Sequence, residues 1–420
     1  MDKKSSPDRR KYLVIGAGGR EHALCHHLKT FGIEVECTPG NAAIASEIPV
    51  FSFDTFDELV QEIRQREIDE VIVGPEKYLE DGIADFLERH GISCFGPKKW
   101  ESKLETDKAW AKQFCQKYSI PTANFATLKS LHDFDEAVGG FQAPFVVKAA
   151  GLAAGKGVWI GDEVEEARRQ TEFFLQKHES VVLEEFIQGR EVSVFFAIDG
   201  EDSCFLGDAQ DHKRLLEGDR GPNTGGMGVV SPSGLIDSKW KRKIEKEILE
   251  PCLEGFKREN LKYRGFLFLG LMIRGEDCYL LEFNCRMGDP ETQVLMLRLQ
   301  TSLNEIIHAL SEGKDPSVQW SSQTALAVVI ASKDYPDQPA NSILLPELSS
   351  PPQSLQVFHS GTDWDHDENV WIGIGGRLVS VCSLQESREL CRMAIYSWIE
   401  SFSNQDQIRY RKDIGEKNYA

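Results

Sequence analysis

The stretch Gly151-Leu152-Ala153-Ala154-Gly155-Lys156-Gly157 follows the apolar run Phe145-Val146-Val147-Lys148 and precedes Val158-Trp159-Ile160. Two short apolar runs around a glycine-rich turn read as a β-hairpin whose loop covers a phosphate. Glycines lack Cβ, so the backbone can approach a polyphosphate closely. Lys148, at the strand end, and Lys156, inside the loop, supply point charges to its oxygens. A Walker loop has four residues between its glycines and a Ser or Thr after the lysine to reach Mg²⁺. Here three residues separate Gly151 from Gly155, and Gly157 follows Lys156. The loop is not a Walker loop, and a metal ion must be held elsewhere.

Working outward, residues 11–97 alternate strand-like and helix-like segments. Runs at 12–15, 33–37, 70–73 and 93–95 read as strands. Between them Leu24, Leu28 and Phe31, then Phe56, Leu59, Val60 and Ile63, then Ile83, Phe86 and Leu87 recur at helical spacing. That alternation predicts a parallel sheet covered by helices. A helix over about 98–118 leads away from it and stops before Pro121. The opening hairpin, a helix over 163–177 and a strand over 181–187 form an α+β unit of the size of a mobile lid. Downstream, 191–284 is mostly long strands with a turn at Asp199-Gly200, one helix near 238–258, and an antiparallel pair at 265–273 and 278–284. Strand-like runs at 325–330, 355–359, 370–374 and 377–381 predict a final sheet-rich domain.

Composition narrows the function. The chain has 420 residues, enough for roughly two to four domains. A formal charge of -19 argues against a general nucleic-acid or anionic-membrane binder, yet leaves room for small anionic substrates, which respond to local charge. No apolar run approaches a membrane span or a signal-peptide core. The 10 cysteines are scattered with no CxxC pair, which fits reduced thiols in a cytoplasmic enzyme.

Several constellations can carry chemistry. Gly16-Ala17-Gly18-Gly19-Arg20-Glu21 lies between a strand and a helix, where backbone N–H groups and the helix dipole attract an anion. A dinucleotide fingerprint would need glycine at position 21; Glu36 stands near the distance of a ribose-binding acid, so an NAD(P)-dependent oxidoreductase is the alternative here. In Leu281-Glu282-Phe283-Asn284-Cys285-Arg286, Glu282 and Asn284 share one face of a strand and Phe283 takes the other. A carboxylate and an amide oxygen suit Mg²⁺. Glu184-Glu185-Phe186-Ile187-Gln188-Gly189-Arg190-Glu191 reads as a strand, hinge and strand able to frame an adenine. Gln210-Asp211-His212-Lys213-Arg214, followed by the glycine-rich 221–228, suits a site closing over a small anion. His212 receives no role.

Together these segments resemble the ATP-grasp superfamily and, within it, the phosphoribosylamine–glycine ligase family. The carriers are GAGGREHAL (16–24), PGNA (39–42), VGPE (73–76), FGP (95–97), GLAAGKGV (151–158), QDHKR (210–214), GPNTGGMG (221–228), EFNCRMGDPETQ (282–293) and RKDIG (411–415). The resemblance implies a multidomain α/β and α+β chain. Its expected parts are a Rossmann-like substrate-binding domain at 1–103, an ATP-grasp core at 104–122 and 190–325, a lid at 123–189, and an α+β domain at 326–420. It implies ligation of glycine to 5-phosphoribosylamine through glycyl phosphate in de novo purine biosynthesis, with ATP and Mg²⁺ or Mn²⁺. By the same resemblance Lys108, Lys148 and the loop 151–157 hold ATP phosphates, with Gly151, Gly155, Lys156 and Gly157 as the matching positions. Glu184, Phe186 and Ile187 frame adenine, Glu191 binds ribose, and Glu282 and Asn284 hold the metal as two protein ligands rather than three. Gly18, Gly19, Arg20, Asn41 and Glu76 match the ribosylamine positions. Asp211, Lys213, Asn223 and Arg286 surround glycine and the acyl phosphate. The implied enzyme is a cytoplasmic monomer without nucleic-acid or membrane partners, in transient contact at most with neighbouring pathway enzymes. A different ATP-grasp carboxylate–amine ligase and a catalytically silent relative are the other readings. The chain departs from the family pattern at Ala150 (Asp in the family), Ala43, Lys77-Tyr78-Leu79 and Lys333-Asp334-Tyr335-Pro336.

Overall fold

The computed structural model describes residues 10–153, 157–340 and 342–416. The N-terminal strands β1 (Tyr12–Gly16), β2 (Val35–Pro39), β3 (Glu70–Val73) and β4 (Ser93–Phe95) form a parallel sheet in the order β2-β1-β3-β4. Helices at Gly19–Thr30, Phe56–Gln65 and Ile83–Arg89 supply the expected alternation. All of β1 and β3 is buried, as strands covered on both faces require. The second strand starts two positions later than the spacing predicts. Gly32 has φ 74° and the Ile33 N–H donates to Leu28 O at 3.1 Å, so Ile33 closes the preceding helix instead. The helix expected over 98–118 also differs: it is broken at Asp107, whose side chain accepts from Trp110 N and caps a new helix, Lys108–Lys117.

The opening loop joins two strands of a second sheet. Strands β5 (Phe125–Leu128), β6 (Phe145–Ala149), β7 (Val158–Gly161) and β8 (Val181–Glu185) run in the order β5-β8-β6-β7. β6 and β7 pair antiparallel from Phe145↔Gly161 to Lys148↔Val158, the expected hairpin. Helix Val164–Leu175 packs its Ala167 and Phe174 against Val147 and Leu183 on this sheet.

The largest sheet carries β9 (Arg190–Asp199), β10 (Asp202–Asp211), β13 (Gly228–Ser231), β14 (Arg264–Arg274), β15 (Asp277–Asn284) and β16 (Thr324–Ser332); β11 (Arg214–Leu216) and β12 (Arg220–Asn223) form a separate hairpin. The helical stretch expected near 238–258 contains a π turn at Glu245–Leu249 just before Pro251, where a missing backbone N–H is best absorbed. The later strands are β17 (Ile343–Leu344), β18 (Gln356–His359), β19 (Thr362–Asp365), β20 (Val370–Gly373), β21 (Arg377–Gln385) and β22 (Ile408–Arg409). They do not all form a sheet of their own. β16, β21 and β18 continue the large sheet through the β13–β16 pairing, and only β17, β20 and β19 stand apart.

Candidate active site

A cavity of about 800 Å³ opens between the four-stranded sheet β5-β8-β6-β7 and the large sheet. Its walls bring together residues that lie far apart in sequence. Lys108, Lys148, Gly157, Glu184, Phe186, Ile187, Glu191, Asp211, Lys213, Asn223, Glu282, Asn284, Arg286 and Glu76 all line it. Gly155 and Lys156 lie outside the described residues.

One end of the cavity is built from β6, β8 and the helix Lys108–Lys117. Lys148 Nζ donates to Glu184 Oε2 at 2.9 Å, and Lys112 Nζ stands 3.0 Å from the same oxygen. Burial works against a charged Glu184, but Lys148 and Lys112 outweigh it and hold its carboxyl below the usual range. The other oxygen, Oε1, is buried with no hydrogen-bond partner. Lys108 Nζ donates to Gly151 O at 3.1 Å, and its backbone N–H donates to Ala150 O at 2.8 Å. The departure at Ala150 thus falls where the backbone makes the contact; its methyl packs with Ala109 and Val182. A Cβ at Gly157 would meet Ala153 Cβ at 2.5 Å, which accounts for glycine there.

Glu282 and Asn284 sit at the end of β15. Glu282 and Asn284 alternate on one face while Phe283 is buried against Phe114 in the core, as the strand period requires. Burial opposes ionisation of Glu282, yet Lys213, Lys148, Lys108 and Arg286 together lower its pKa to about 2. Asn284 Nδ2 is buried without a partner, and Oδ1 accepts from Arg286 at 3.3 Å. A hard carboxylate oxygen beside an amide oxygen fits Mg²⁺ or Mn²⁺. The position paired with Glu282 on β14 is Gly270, which has no side chain to add. Among the described residues no three His, Cys, Asp or Glu side chains cluster for a metal.

At the far end Arg286 is fixed by two carboxylates, Glu76 Oε2 at 3.0 Å from Nε and Glu105 Oε1 at 2.8 Å from a terminal nitrogen. Lys213 Nζ donates to Glu191 Oε1 at 2.5 Å and lies 3.6 Å from Glu282 Oε1. Asp211 is pushed up by burial and by Glu291, with Lys213 opposing. His212 points away from this chemistry: it is buried, with Nδ1 3.2 Å from Gly228 O.

Gly18, Gly19, Arg20 and Asn41 are not among the residues that line the cavity. Gly18 N donates to Glu21 Oε2 at 2.6 Å and Gly19 N to Ser360 Oγ at 3.0 Å. Two of the N–H groups on which an anion site would rest therefore have acceptors from the chain itself. Arg20 Nε is 2.5 Å from Glu21 Oε1. Asn41 caps the helix Ala42–Glu47 through Ile44 N, and its Nδ2 donates to Ala17 O and His359 O.

Glu21 also settles the dinucleotide alternative. Its carboxylate fills the space over the turn: a Cβ on Gly16 or Gly74 would lie 2.5 Å and 2.0 Å from Glu21 atoms. Glu21 therefore occupies the place that the third glycine of a dinucleotide fingerprint would leave open, and Glu36 is already paired with Lys11 at 2.6 Å and Arg66 at 2.9 Å.

Sequence reasoning missed Lys112, Glu105, Glu291 and Asp289. Lys112 carried a readable signal, since it follows Lys108 by four residues on one helix face. Asp289 and Glu291 fall inside the quoted 282–293 stretch, but nothing local gave them or Glu105 a partner, because only the fold brings Glu105 to Arg286, Glu291 to Asp211 and Asp289 to Arg377.

A small four-stranded sheet set over a large antiparallel sheet, with buried lysines and a carboxylate–amide pair lining the cavity between them, is the architecture of an ATP-grasp enzyme. Family models of phosphoribosylglycinamide synthetase match this chain as the N domain over 10–105, the ATP-grasp (A) domain over 106–292 and the C domain over 325–417. The chain belongs to the phosphoribosylamine–glycine ligase family of de novo purine biosynthesis. It is 39% identical over 420 residues to the phosphoribosylamine–glycine ligase of Neisseria meningitidis serogroup B, covering 97% of this chain and 99% of that one. It is 38% identical to the chloroplastic enzyme of that name from Arabidopsis thaliana, covering 98% and 83%. The crystal structure of phosphoribosylamine–glycine ligase from Thermotoga maritima matches with a TM-score of 0.84 at 32% identity, covering 96% of this chain and 100% of that one. The biotin carboxylase domain of Hydrogenobacter thermophilus 2-oxoglutarate carboxylase shares the fold, with a TM-score of 0.69 at 14% identity, covering 94% and 90%. Among the described residues, no helix is long and apolar enough to cross a membrane.

Proposed function

We propose that this ligase joins glycine to 5-phosphoribosylamine using ATP, by way of glycyl phosphate. The observation that carries the reading is that Lys108, Lys148, Lys213 and Arg286 line one cavity with Glu282 and together keep its buried carboxyl ionised. Such an array suits a polyphosphate with its counter-ion and an anionic acyl group beside it. In the first step the glycine carboxylate attacks the γ-phosphorus, and ADP leaves. The ribosylamine nitrogen then attacks the acyl carbon, the C–O bond breaks, phosphate leaves and the nitrogen gives up a proton.

Lys108, Lys148 and the loop 151–157 hold the phosphates; Phe186 and Ile187 flank the adenine, and the unpartnered Oε1 of Glu184 accepts from its exocyclic amine. Glu191 takes the ribose hydroxyls once Lys213 turns to phosphate. Glu282 and Asn284 would hold Mg²⁺ or Mn²⁺, which supplies charge neutralisation at the phosphates when bound. Arg286, kept rigid by Glu76 and Glu105, anchors a carboxylate, with Asp211 and Asn223 beside it. The ribosylamine phosphate enters at Gly18, Gly19, Arg20 and Asn41, and takes the Gly19 N–H in exchange for Ser360. On this reading 1–103 binds the ribosylamine, 123–189 is the lid, 104–122 with 190–325 is the catalytic core, and 326–420 closes it. The enzyme works in the cytoplasm as a monomer.

The test is a product assay. Purified protein with ATP, Mg²⁺, glycine and freshly made phosphoribosylamine is expected to form glycinamide ribonucleotide, with ADP release strongly dependent on both substrates. Absence of the product would overturn the reading.

A further inference from the structure

The segment from Lys213 to Gly228 brings Lys213 and Asn223 to the cavity, yet it is a small hairpin followed by a glycine-rich loop and has little core of its own. Its inner bonds are few. Thr224 N and Oγ1 both donate to Lys213 O at 2.8 Å, which ties the loop to the lysine's own backbone. Arg214 donates to Gly221 O at 2.9 Å and Gly226 N to Thr224 Oγ1 at 3.1 Å, while Met227 bonds to the backbone of His212 and Val329. Further support comes from residues after 330.

Tyr335 OH accepts from Gly225 N at 2.9 Å, and Arg377 donates to Gly225 O at 2.7 Å. One peptide unit on each side of Gly225 is thus gripped by two side chains more than a hundred residues away. The same Arg377 nitrogen donates to Asp289 O at 2.7 Å, and so joins this loop to the segment that carries Arg286. A Cβ on Gly225 would stand 3.2 Å from Arg377 Cζ and 3.3 Å from Tyr335 OH, so the grip is close.

The hairpin tip is held independently. Arg411, in the RKDIG segment and only 1% exposed, donates to Arg214 O at 3.0 Å and to Asp219 Oδ1 at 2.8 Å. Its guanidinium is bidentate to Asp413, whose Oδ2 also accepts from Gly218 N at 2.8 Å. A fully buried guanidinium with such partners is a rigid post.

We propose that Tyr335, Arg377 and Arg411 are positioning residues for the amino-acid half of the site, holding Lys213 and Asn223 in place from the C-terminal part of the chain. The proposal rests on the reading of that half as the glycine site. Without these anchors the loop would still fold back through Thr224 but would no longer present both side chains at fixed positions, so glycine binding weakens more than ATP binding.

Tyr335→Phe is the sharp variant. It keeps the ring, which packs on Leu215, Met227 and Ala331, and removes only the acceptor for Gly225 N–H. Ile395→Val, in the separate core under helix Arg388–Ile399, serves as the stability control. Amide hydrogen exchange and steady-state kinetics are read on both full-length variants. In Tyr335→Phe, exchange across 221–228 is expected to quicken and the KM for glycine to rise about five-fold, the worth of one hydrogen bond, with the KM for ATP nearly unchanged. Unchanged exchange with unchanged glycine KM overturns the proposal. So does a parallel rise in both KM values that Ile395→Val reproduces. If wild-type protein forms no product, the functional reading fails, and the exchange difference at 221–228 alone decides whether the anchors hold the loop.

Discussion

At Glu282 two opposing effects meet in one side chain. Burial favours the neutral acid, and the surrounding Lys213, Lys148, Lys108 and Arg286 favour the carboxylate by more, so the group stays ionised near pH 7. Removing its charge while keeping its shape isolates the role. Glu282→Gln is expected to lower turnover about 100-fold, the scale of losing one charge-stabilising group in an active site. The thermal midpoint is expected to move little, because Lys213 keeps Glu191 as its partner. Activity equal to wild type at limiting Mg²⁺ would remove Glu282 from the metal site. This residue was legible in the sequence because a strand's period of two puts Glu282 and Asn284 on one face without help from the fold. Glu21 was legible only by what it excluded. That it fills the turn itself, between Gly16 and Gly74, needed the fold, since Gly74 arrives from another strand.

The helix Gly19–Thr30 shows how an element is held on both flanks. His27 on it is buried, its Nδ1 3.2 Å from Met296 O and its Nε2 accepting from Leu303 N at 3.3 Å. Nε2 must stay unprotonated to accept, and burial lowers the pKa from 6.5 to about 4. The unfolded chain takes up this proton near the ordinary value and the folded chain only near the lower one. Between those values the unfolded state binds more protons, so stability falls as pH drops from about 6.5 toward 4. Urea unfolding at pH 7 and pH 5 is expected to show a loss on the order of 1–2 kcal/mol from this group, smaller in His27→Gln. Equal slopes for the two proteins would refute it. Elements with an unbroken period, such as β6 and β7 around the opening loop, were readable with their partners. The break at Asp107 was not, because a side chain that caps a new helix competes there with continuation of the old one.

At the scale of the molecule, the N-terminal sheet is docked on the large sheet through a buried charge. Glu70 is fully buried on β3; Arg264 at the start of β14 reaches it with two nitrogens at 2.8 and 3.2 Å and reaches Asp199 at 2.9 Å. Arg10 stands 3.5 Å away as a weaker partner. Arg264→Ala leaves that carboxylate with poor compensation and is expected to cost about 3 kcal/mol, read by chemical denaturation. A change below about 0.5 kcal/mol would show that the pair does not secure the docking. The continuation of the large sheet into β16, β21 and β18 belongs to this scale as well. No local pattern separates a strand that starts a new sheet from one that extends an old one, since both present the same alternation.

What the sequence determined by itself was local: the hairpin around the non-Walker loop, the alternation of the first 97 residues, the Glu282/Asn284 face, and the order of motifs that mark the family. Those signals rest on the fixed periods of strand and helix and on the steric freedom of glycine. Tertiary structure decided the rest. It chose Glu76 and Glu105 to brace Arg286, gave two N–H groups of the first glycine turn to Glu21 and Ser360, and set Tyr335, Arg377 and Arg411 around the loop that carries Asn223. These contacts join residues up to 341 positions apart. A charge finds its partner only when packing fixes which surfaces meet, and no period in the sequence encodes that meeting.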